Sequence, residues 1–265
     1  MPDKTASPAE LKHRKLTLGK ISNQPISDLF GSVNEVPNIQ IAQSYHTEFE
    51  HCIKFVKCDD NLAFMGTSWG NVFAKSNIRK DRIQCELEIT LSVFDMAMMN
   101  NGDLLVSSDK TDLQLYTTDN QAKTFGTVPP LHTLGVHVNK QNEIYLGLSE
   151  WPRRICTNNK YIFVVDLLHN GPGRVVVIDK GGQLQWNYNG SFDKFYPRDI
   201  AVSSTEMVIV TDCINNALLI LSPNGEIILC KIVSELGIYF PYSLIIGDDK
   251  KLWIGTWDSK ERSML

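Results

Sequence analysis

The residue types that most often do chemistry are present in this chain of 265 residues but are not grouped. The six cysteines are scattered without a CxxC pair, which predicts buried, reduced thiols rather than a zinc or redox site. The six histidines, including His137 on a predicted strand, lack the HxH or i, i+4 spacing of metal ligands. No G-x-S-x-G, P-loop or dinucleotide-binding glycine motif occurs. The sequence therefore predicts no metal, no cofactor and no enzyme activity.

Three tryptophans share a position that suggests a binding role. Trp69, Trp151 and Trp257 each lie at the end of a similar apolar hexamer or just after it. Exposed tryptophan is a favoured anchor in protein interfaces, so a shared patch of these side chains predicts a partner-binding site. The alternative is that each tryptophan packs over the edge of its own sheet.

Two short basic clusters could contact phosphate groups. The first is Arg79, Lys80 and Arg82, and the second is Arg153 with Arg154. RNA binding requires a basic face, whereas the chain has 26 basic and 30 acidic side chains and a formal charge of −4. A solvated surface is the favoured interpretation of both clusters, and RNA contact is the alternative.

The elements that must position these residues are strands. From Ile39 onward, short apolar runs rich in Val, Ile, Phe and Tyr alternate with turn pairs such as Asn101–Gly102 and Asn224–Gly225. No stretch sustains a helical i, i+3, i+4, i+7 pattern. The chain is predicted to be all-β.

The strands repeat along the chain. Similar hexamers, each with three or four apolar residues before small or acidic ones, begin at residues 63, 104, 144, 162, 208 and 252. Four of the five intervals lie near about 43 residues, the length of one four-stranded propeller blade. The sequence predicts a tail or linker over residues 1–25 and a six-bladed β-propeller over 26–265, with blades starting near 52, 93, 134, 153, 197 and 241.

Two places break the period. The interval of 18 residues between the hexamers at 144 and 162 leaves no room for a third and fourth strand, which predicts one shortened blade. Only eight residues, 258–265, follow the last hexamer, so the last blade is expected to be incomplete. Ile39–Tyr45 could supply its outermost strand, while its third strand has no obvious source. An incomplete ring exposes strand edges, so a fragment or splice form of a longer protein is also expected.

One blade carries a recognisable repeat. Pro197–Val202, Val208–Asp212 and Asn215–Leu221, closed by Asn224–Gly225, resemble an NHL repeat, and Tyr161–Gly182 is a weaker copy. The chain resembles the carboxy-terminal propeller of tripartite-motif-like proteins. That resemblance implies an NHL-type propeller that recruits a protein or, in some members, RNA. The zinc-binding RING and B-box spacings and the coiled-coil heptads are absent, so ubiquitin-ligase activity is not carried over.

The sequence thus predicts a non-enzymatic propeller that binds a protein partner. An RNA-binding propeller and a metal-dependent enzyme of the six-bladed lactonase or lyase type are the alternatives. Residues 1–18 have no apolar signal-peptide core, and no apolar run approaches the roughly 18 residues that span a bilayer. A cytoplasmic protein with neither a membrane nor a DNA partner is expected.

Overall fold

The fold is built almost entirely from strands. The computed structural model describes residues 15–21, 39–49, 52–67, 71–148, 152–167, 172–191, 194–247 and 251–257. Within these ranges the chain forms the strands β1 to β22, together with one short 3-10 turn at Ser234–Leu236. None of the described segments is a helix with the length and apolarity required to cross a bilayer.

Four blades consist of four antiparallel strands that follow one another in the chain. The first two blades are β3 (Lys54–Lys57), β4 (Leu62–Thr67), β5 (Val72–Ile78) and β6 (Arg82–Thr90), and then β7 (Asp95–Met98), β8 (Leu104–Ser107), β9 (Asp112–Tyr116) and β10 (Ala122–Thr127). The other two are β13 (Pro152–Thr157), β14 (Tyr161–Leu167), β15 (Gly173–Asp179) and β16 (Leu184–Tyr188), and then β17 (Pro197–Val202), β18 (Val208–Asp212), β19 (Ala217–Leu221) and β20 (Ile227–Ile232).

The remaining strands form two irregular units. The sheet of β11 (Thr133–Val138) and β12 (Ile144–Leu148) has two strands. The other unit begins with β21 (Pro241–Ile246) and β22 (Leu252–Thr256) and is extended by β1 (Lys15–Ile21) and then β2 (Ile39–Thr47). Its outermost strand, β2, pairs in parallel with β6 of the first blade, through His46 with Arg82 and Thr47 with Ile83. Strands from the two ends of the described chain therefore share one sheet.

This architecture corrects two expectations. An all-β propeller is confirmed, but four complete blades replace the six that the repeat arithmetic predicts, because the two-stranded sheet and the composite sheet are not runs of four consecutive strands. A tail is expected over residues 1–25, yet Lys15–Ile21 is a strand that pairs with both β22 and β2. This strand supplies the third strand that the last blade needs, and Ile39–Tyr45 lies in the outermost strand as expected.

The innermost strands surround a central channel. The strands β3, β7, β11, β13, β17 and β21 contact one another in that order, and β21 contacts β3. We call the end of the channel where these strands begin the upper face and the end where they finish the lower face.

Neighbouring blades pack face to face, which explains the uninterrupted apolar strands. In β18, Val208 and Val210 belong to the core cluster shared with β14 and β15, whereas Ile209 belongs to the cluster shared with β21 and β22. Both faces of this strand are buried, so both sets of alternating side chains are apolar. The sequence therefore shows a continuous apolar run rather than an alternation.

Glycines allow the two-stranded sheet to approach the next blade. A Cβ atom at Gly147 would lie 2.4 Å from the carbonyl oxygen of Pro152, and one at Gly135 would lie 3.2 Å from the backbone of Arg153. A larger residue at position 147 would push β12 away from β13. The shortened unit thus stays in contact with the inner strand that follows it.

Candidate functional site

The upper end of the channel is closed by four buried charged side chains from four different blades. Lys54 Nζ lies 2.9 Å from Asp95 Oδ1 and 3.7 Å from Asp199 Oδ2. Arg154 Nε lies 3.8 Å from Asp95 Oδ1 and 3.9 Å from Asp199 Oδ1. Two cations and two carboxylates balance, and we call these residues the ion cluster.

Backbone hydrogen bonds hold the carboxylates of the ion cluster in place. Asp95 accepts hydrogen bonds from the N–H groups of Met96, at 2.8 Å, and Val136, at 3.0 Å. Asp199 likewise accepts from Ile200, at 2.9 Å, and Leu244, at 2.8 Å. Each carboxylate thereby joins its own inner strand to the next one around the channel. These bonds offset part of the cost of burying the charges.

The electrostatics of the ion cluster stabilise its two cations, whereas burial raises the pKa of the Asp199 carboxyl above 3.8. Burial alone would lower the pKa of Lys54, but the carboxylates of Asp199 and Asp95 outweigh it, so the pKa is raised above 10.5. The pKa of Arg154 is raised for the same reason, since the same two carboxylates outweigh its burial. Lys54 and Arg154 therefore stay charged in the folded protein.

A second group of side chains lies near the start of the inner strands: Phe94 precedes β7, Arg153, Arg198 and Tyr242 lie on β13, β17 and β21, and Trp257 follows β22. The guanidinium carbons of Arg153 and Arg154 lie 5.3 Å and 5.5 Å from the ring centre of Phe94. The guanidinium carbon of Arg198 lies 5.1 Å from the ring centre of Tyr242. Tyr242 in turn makes an edge contact with Trp257, with ring centres 5.8 Å apart. We call Arg153, Arg198, Phe94, Tyr242 and Trp257 the arginine–aromatic cluster.

Arg198 differs from the other cations near the channel. Its Nε atom is buried and has no hydrogen-bond partner among the described residues, which also offer it no carboxylate within 4.0 Å. The nearby Asp212 hydrogen-bonds to Asn215 and to the backbone N–H of Tyr196. The pKa of Arg153 is lowered mainly by burial; the guanidinium groups of Arg198 and Arg154 lower it further, and Tyr242 and Asp109 oppose this effect. The arginine–aromatic cluster can therefore accept an anionic group.

The structure brings together only part of the predicted site. Trp257 lies in the arginine–aromatic cluster, whereas Trp69 and Trp151 lie outside the described residues. A patch of three tryptophans thus stays a prediction.

The two predicted RNA-contact clusters do not converge. Arg79, Lys80 and Arg82 are exposed at the turn between β5 and β6, the two outermost strands of their blade. Arg153 and Arg154 lie on β13, an innermost strand of another blade. Arg154 is committed to the ion cluster, and its side chain is 4% exposed. The inclusion of Arg154 among the surface contacts is therefore corrected.

The lower end of the channel has a different chemistry. Below the ion cluster lies a cavity of about 320 Å³, and a second cavity of about 560 Å³ opens at the lower face. His137 lines both cavities, and its Nε2 atom lies 3.0 Å from Thr157 Oγ1. Burial and, secondarily, the ammonium group of Lys54 lower the pKa of His137 from 6.5 to about 4. The imidazole is therefore neutral at neutral pH.

The remaining candidate groups have structural surroundings. None of the six cysteines forms a disulfide, and burial raises the pKa of both Cys52 and Cys58 to about 12, which keeps them as thiols. The carboxylate of Asp166 accepts a hydrogen bond of 2.8 Å from Arg174. Across the described ranges, no set of three or more His, Cys, Asp or Glu side chains is arranged to hold a metal ion.

Sequence reasoning missed Lys54, Asp95, Asp199 and Arg198, and it singled out Arg154 only as a surface contact. Lys54 and Asp95 are the first residues of their inner strands, Arg154 and Asp199 are the third residues of theirs, and each is followed by a hydrophobic residue. A charged residue at the start of an otherwise apolar inner strand was the available signal. This signal can be recognised only when the blades are aligned with one another. A single charged residue near the start of a strand also occurs wherever a strand simply begins.

Comparisons with known proteins support the fold. No protein-family model and no curated protein matches the chain. A protein of unknown function from Bacteroides caccae is similar with a TM-score of 0.63 and 15% identity, over 77% of this chain and 85% of its own. Virginiamycin B lyase from Staphylococcus aureus is similar with a TM-score of 0.57 and 13% identity, over 77% of each chain. An auxiliary nutrient binding protein from Bacteroides thetaiotaomicron is similar with a TM-score of 0.55 and 12% identity, over 79% of this chain and 67% of its own.

These similarities refine the interpretation in two ways. They support an all-β propeller with structural relatives in bacteria, and they give no support to the finer assignment to tripartite-motif-like proteins. The prediction that the chain is not an enzyme is wrong as an inference from its fold, because virginiamycin B lyase is an enzyme with this fold. At these identities the shared property is the fold alone.

Proposed function

We propose that the chain is a recognition propeller whose upper face binds a protein partner through a carboxylate group. The observation that carries this proposal is Arg198, a cation stacked on Tyr242 with no carboxylate of the described chain within 4.0 Å. A guanidinium group that is already oriented loses little entropy when it forms two parallel hydrogen bonds with a carboxylate.

The surroundings of Arg198 also favour a protein surface over a free ion. Tyr242 and Trp257 form an aromatic edge beside it, and arginine, tyrosine and tryptophan are the residue types that dominate binding energy in protein interfaces. The partner's acidic side chain or carboxyl terminus would contact Arg198 and Arg153, and its apolar residues would contact the rings. Trp69 and Trp151 are proposed to extend this surface.

RNA is the second candidate, because guanidinium groups also bind phosphate. The separation of Arg79, Lys80 and Arg82 from Arg153 disfavours it, since the basic residues do not form one continuous face.

The recruiting role that the NHL-like repeat implies is consistent with this proposal. We further infer a ring of six positions, in which β11 with β12 and β21 with β22, β1 and β2 complete the four regular blades. The circular contacts of the six inner strands support this count. A closed ring would present the arginine–aromatic cluster near its centre.

The test is fluorescence anisotropy with a labelled polyglutamate peptide and a labelled oligouridylate. We expect the peptide to bind, and Arg198→Ala to weaken it by about tenfold or more, equivalent to about 1.4 kcal/mol. The double variant Trp69→Ala/Trp257→Ala should weaken binding further. Arg79→Ala, which removes the same charge at the outer rim, is the matched control and should leave the affinity unchanged.

Two outcomes would contradict the proposal. Equal peptide affinity of the wild type and Arg198→Ala would show that the upper cluster is not the binding site. Preferential binding of oligouridylate, with a steep salt dependence that both arginine variants reduce, would favour the RNA candidate.

A further inference from the structure

The two cavities below the ion cluster form one pocket that is closed at the top. They share five lining residues, which are His137, Val138, Thr157, Val202 and Ile246. The upper cavity ends at the ion cluster, where Lys54 lines it. The lower cavity opens between the turns that follow the inner strands. A ligand that enters from the lower face would meet Lys54 with its leading end.

The upper cavity is lined by hydrophobic residues from every inner strand, together with the polar side chains of Lys54, Lys57, His137 and Thr157. All six inner strands contribute hydrophobic lining residues, including Val56, Met98, Val138, Ile155, Val202 and Ile246. Pockets that combine apolar walls with a few polar groups are typical small-molecule sites, and volumes of about 300–1,000 Å³ are usual. The two cavities, at about 320 and 560 Å³, fall in this range.

The closed end offers a hydrogen-bond donor. The side chain of Lys54 is 14% exposed, whereas those of Asp95, Arg154 and Asp199 are 1%, 4% and 3% exposed. An ammonium group has three donors, and the only carboxylate within hydrogen-bond distance in the ion cluster is Asp95, at 2.9 Å. Lys54 thus retains donor capacity toward the pocket.

The charge balance decides which ligand suits this donor. The ion cluster already holds two cations and two carboxylates, and Lys57, which also lines the upper cavity, is paired with Asp60 at 2.7 Å. An anionic ligand would therefore leave a net negative charge buried beside Asp95 and Asp199. A buried uncompensated charge costs more than one hydrogen bond returns. A neutral carbonyl oxygen can accept from Lys54 without this cost.

Polar groups continue down the pocket. The His137–Thr157 pair lies at the junction of the two cavities. The lower cavity is lined by the amide and hydroxyl side chains of Gln141, Asn159 and Ser204, and by the charged side chains of Lys140 and Glu206. These groups can bind water or a second polar end of a ligand.

We propose that this pocket binds uncharged, linear, mostly apolar molecules with a carbonyl oxygen at the leading end. The carbonyl accepts a hydrogen bond from Lys54, the hydrocarbon chain packs along the inner strands, and the trailing end lies at the polar lower mouth. No covalent step is involved. This site is separate from the upper face and goes beyond the function proposed above.

Isothermal titration calorimetry with octanamide, octanoate and octylamine tests the ligand class. We expect saturable binding of octanamide, and binding at least about tenfold weaker for both charged analogues. Equal or tighter binding of octanoate would overturn the assignment of a neutral ligand. No binding of octanamide to folded protein would overturn the site.

Two variants locate the binding. Ala201→Leu adds bulk where Ala201 lines the upper cavity, and should abolish octanamide binding without a change of charge. Leu184→Ala, at an exposed residue of the outer strand β16, is the control for non-specific hydrophobic binding and should bind like the wild type. Near-UV circular dichroism reports whether Ala201→Leu folds. Thr157→Val is the milder channel variant and is expected to weaken octanamide binding several-fold. Unchanged affinity in both channel variants would place the ligand elsewhere.

The two proposals fail independently. Arg198→Ala at the upper face should leave octanamide affinity unchanged, and Ala201→Leu should leave binding of the polyglutamate peptide unchanged. A variant that abolished both would point to loss of the folded ring.

Discussion

The two ends of the central channel are built from the same six strands but have opposite chemistry. At the upper end, Lys54, Asp95, Arg154 and Asp199 are buried and charged, and their contacts join four blades. At the lower end, the lining is formed mainly by neutral amide, hydroxyl and apolar side chains around an open cavity. The upper end therefore contributes to holding the ring together, and the lower end is free to contact ligands.

Because the two ends differ in burial, substitutions at the upper end are expected to change the free energy of unfolding more than substitutions at the lower end. A buried charge that loses its partner cannot be rehydrated without opening the structure, whereas an exposed amide that is removed is replaced by water. Substitutions at the upper end are therefore expected to affect folding, and exposed substitutions at the lower end are expected to affect binding.

The largest effect is expected from Asp199→Ala. This change leaves Arg154 and Lys54 with half of their carboxylate partners and removes the acceptor for the N–H groups of Ile200 and Leu244. The free energy of unfolding should fall by about 3–5 kcal/mol, as measured by urea unfolding with circular dichroism. Ser204→Ala, at an exposed position just after the same strand, should change it by less than about 0.5 kcal/mol. If Asp199→Ala lowered the free energy of unfolding by less than about 1 kcal/mol, the ion cluster would not be a major source of stability at the upper end.

An intermediate effect is expected from pH at the junction of the cavities. The pKa of His137 is about 4 in the folded protein and 6.5 as an ordinary histidine, so between these values the unfolded chain binds more protons. The neutral His137 therefore contributes to the free energy of unfolding. This contribution, roughly 3 kcal/mol in total, is fully present above about pH 6.5 and is lost as the pH falls toward 4. The measurement is the unfolding free energy of wild type minus that of His137→Gln across this window.

The control for this measurement is an exposed histidine. His132→Gln makes the same substitution at an exposed side chain near Asp109, and it controls for the exchange of histidine for glutamine itself. A difference between wild type and His137→Gln that does not depend on pH would show that His137 is not buried as a neutral imidazole.

The smallest effect is expected at the lower mouth itself. Glu206 has a φ of +64°, a left-handed conformation that costs a non-glycine residue about 1–2 kcal/mol. Glu206→Gly relieves this cost but adds entropy to the unfolded chain, so a net stabilisation of about 0.5 kcal/mol is expected. The urea midpoint should rise slightly, whereas Glu226→Gly, at a position without positive φ, should not raise it. A lower midpoint for Glu206→Gly would mean that its 3.5 Å contact with Asn158 matters more than the backbone strain.

Much of the fold could be predicted because it is local. The strands β18 and β19 follow directly from the apolar runs Val208–Asp212 and Ala217–Leu221. The short spacing before Pro152 correctly indicates a unit with too few strands, since three residues between β12 and β13 cannot contain another pair. The segment Lys15–Ile21 could not be assigned, because it becomes a strand only by pairing with β22 at the other end of the chain.

Much less of the candidate site could be predicted. Trp257 was identified from its position after a strand, but its contact with Tyr242 was not. Lys54 forms ion pairs with Asp95 and Asp199, which lie 41 and 145 residues further along the chain. A local sequence pattern cannot predict contacts between residues so far apart. The inclusion of Arg154 among exposed basic residues failed for the same reason, because its burial depends on other blades.

The sequence by itself determined the all-β class, the strand-forming runs, the turns and the one shortened unit, since these depend on side-chain periodicity and on neighbouring residues. Only the tertiary structure decided how many blades are complete, which strand joins the ends of the described chain, and which charges meet at the channel. The physical reason is that blade closure and charge pairing require contacts between residues far apart in the chain, and their energy exists only once the ring has formed.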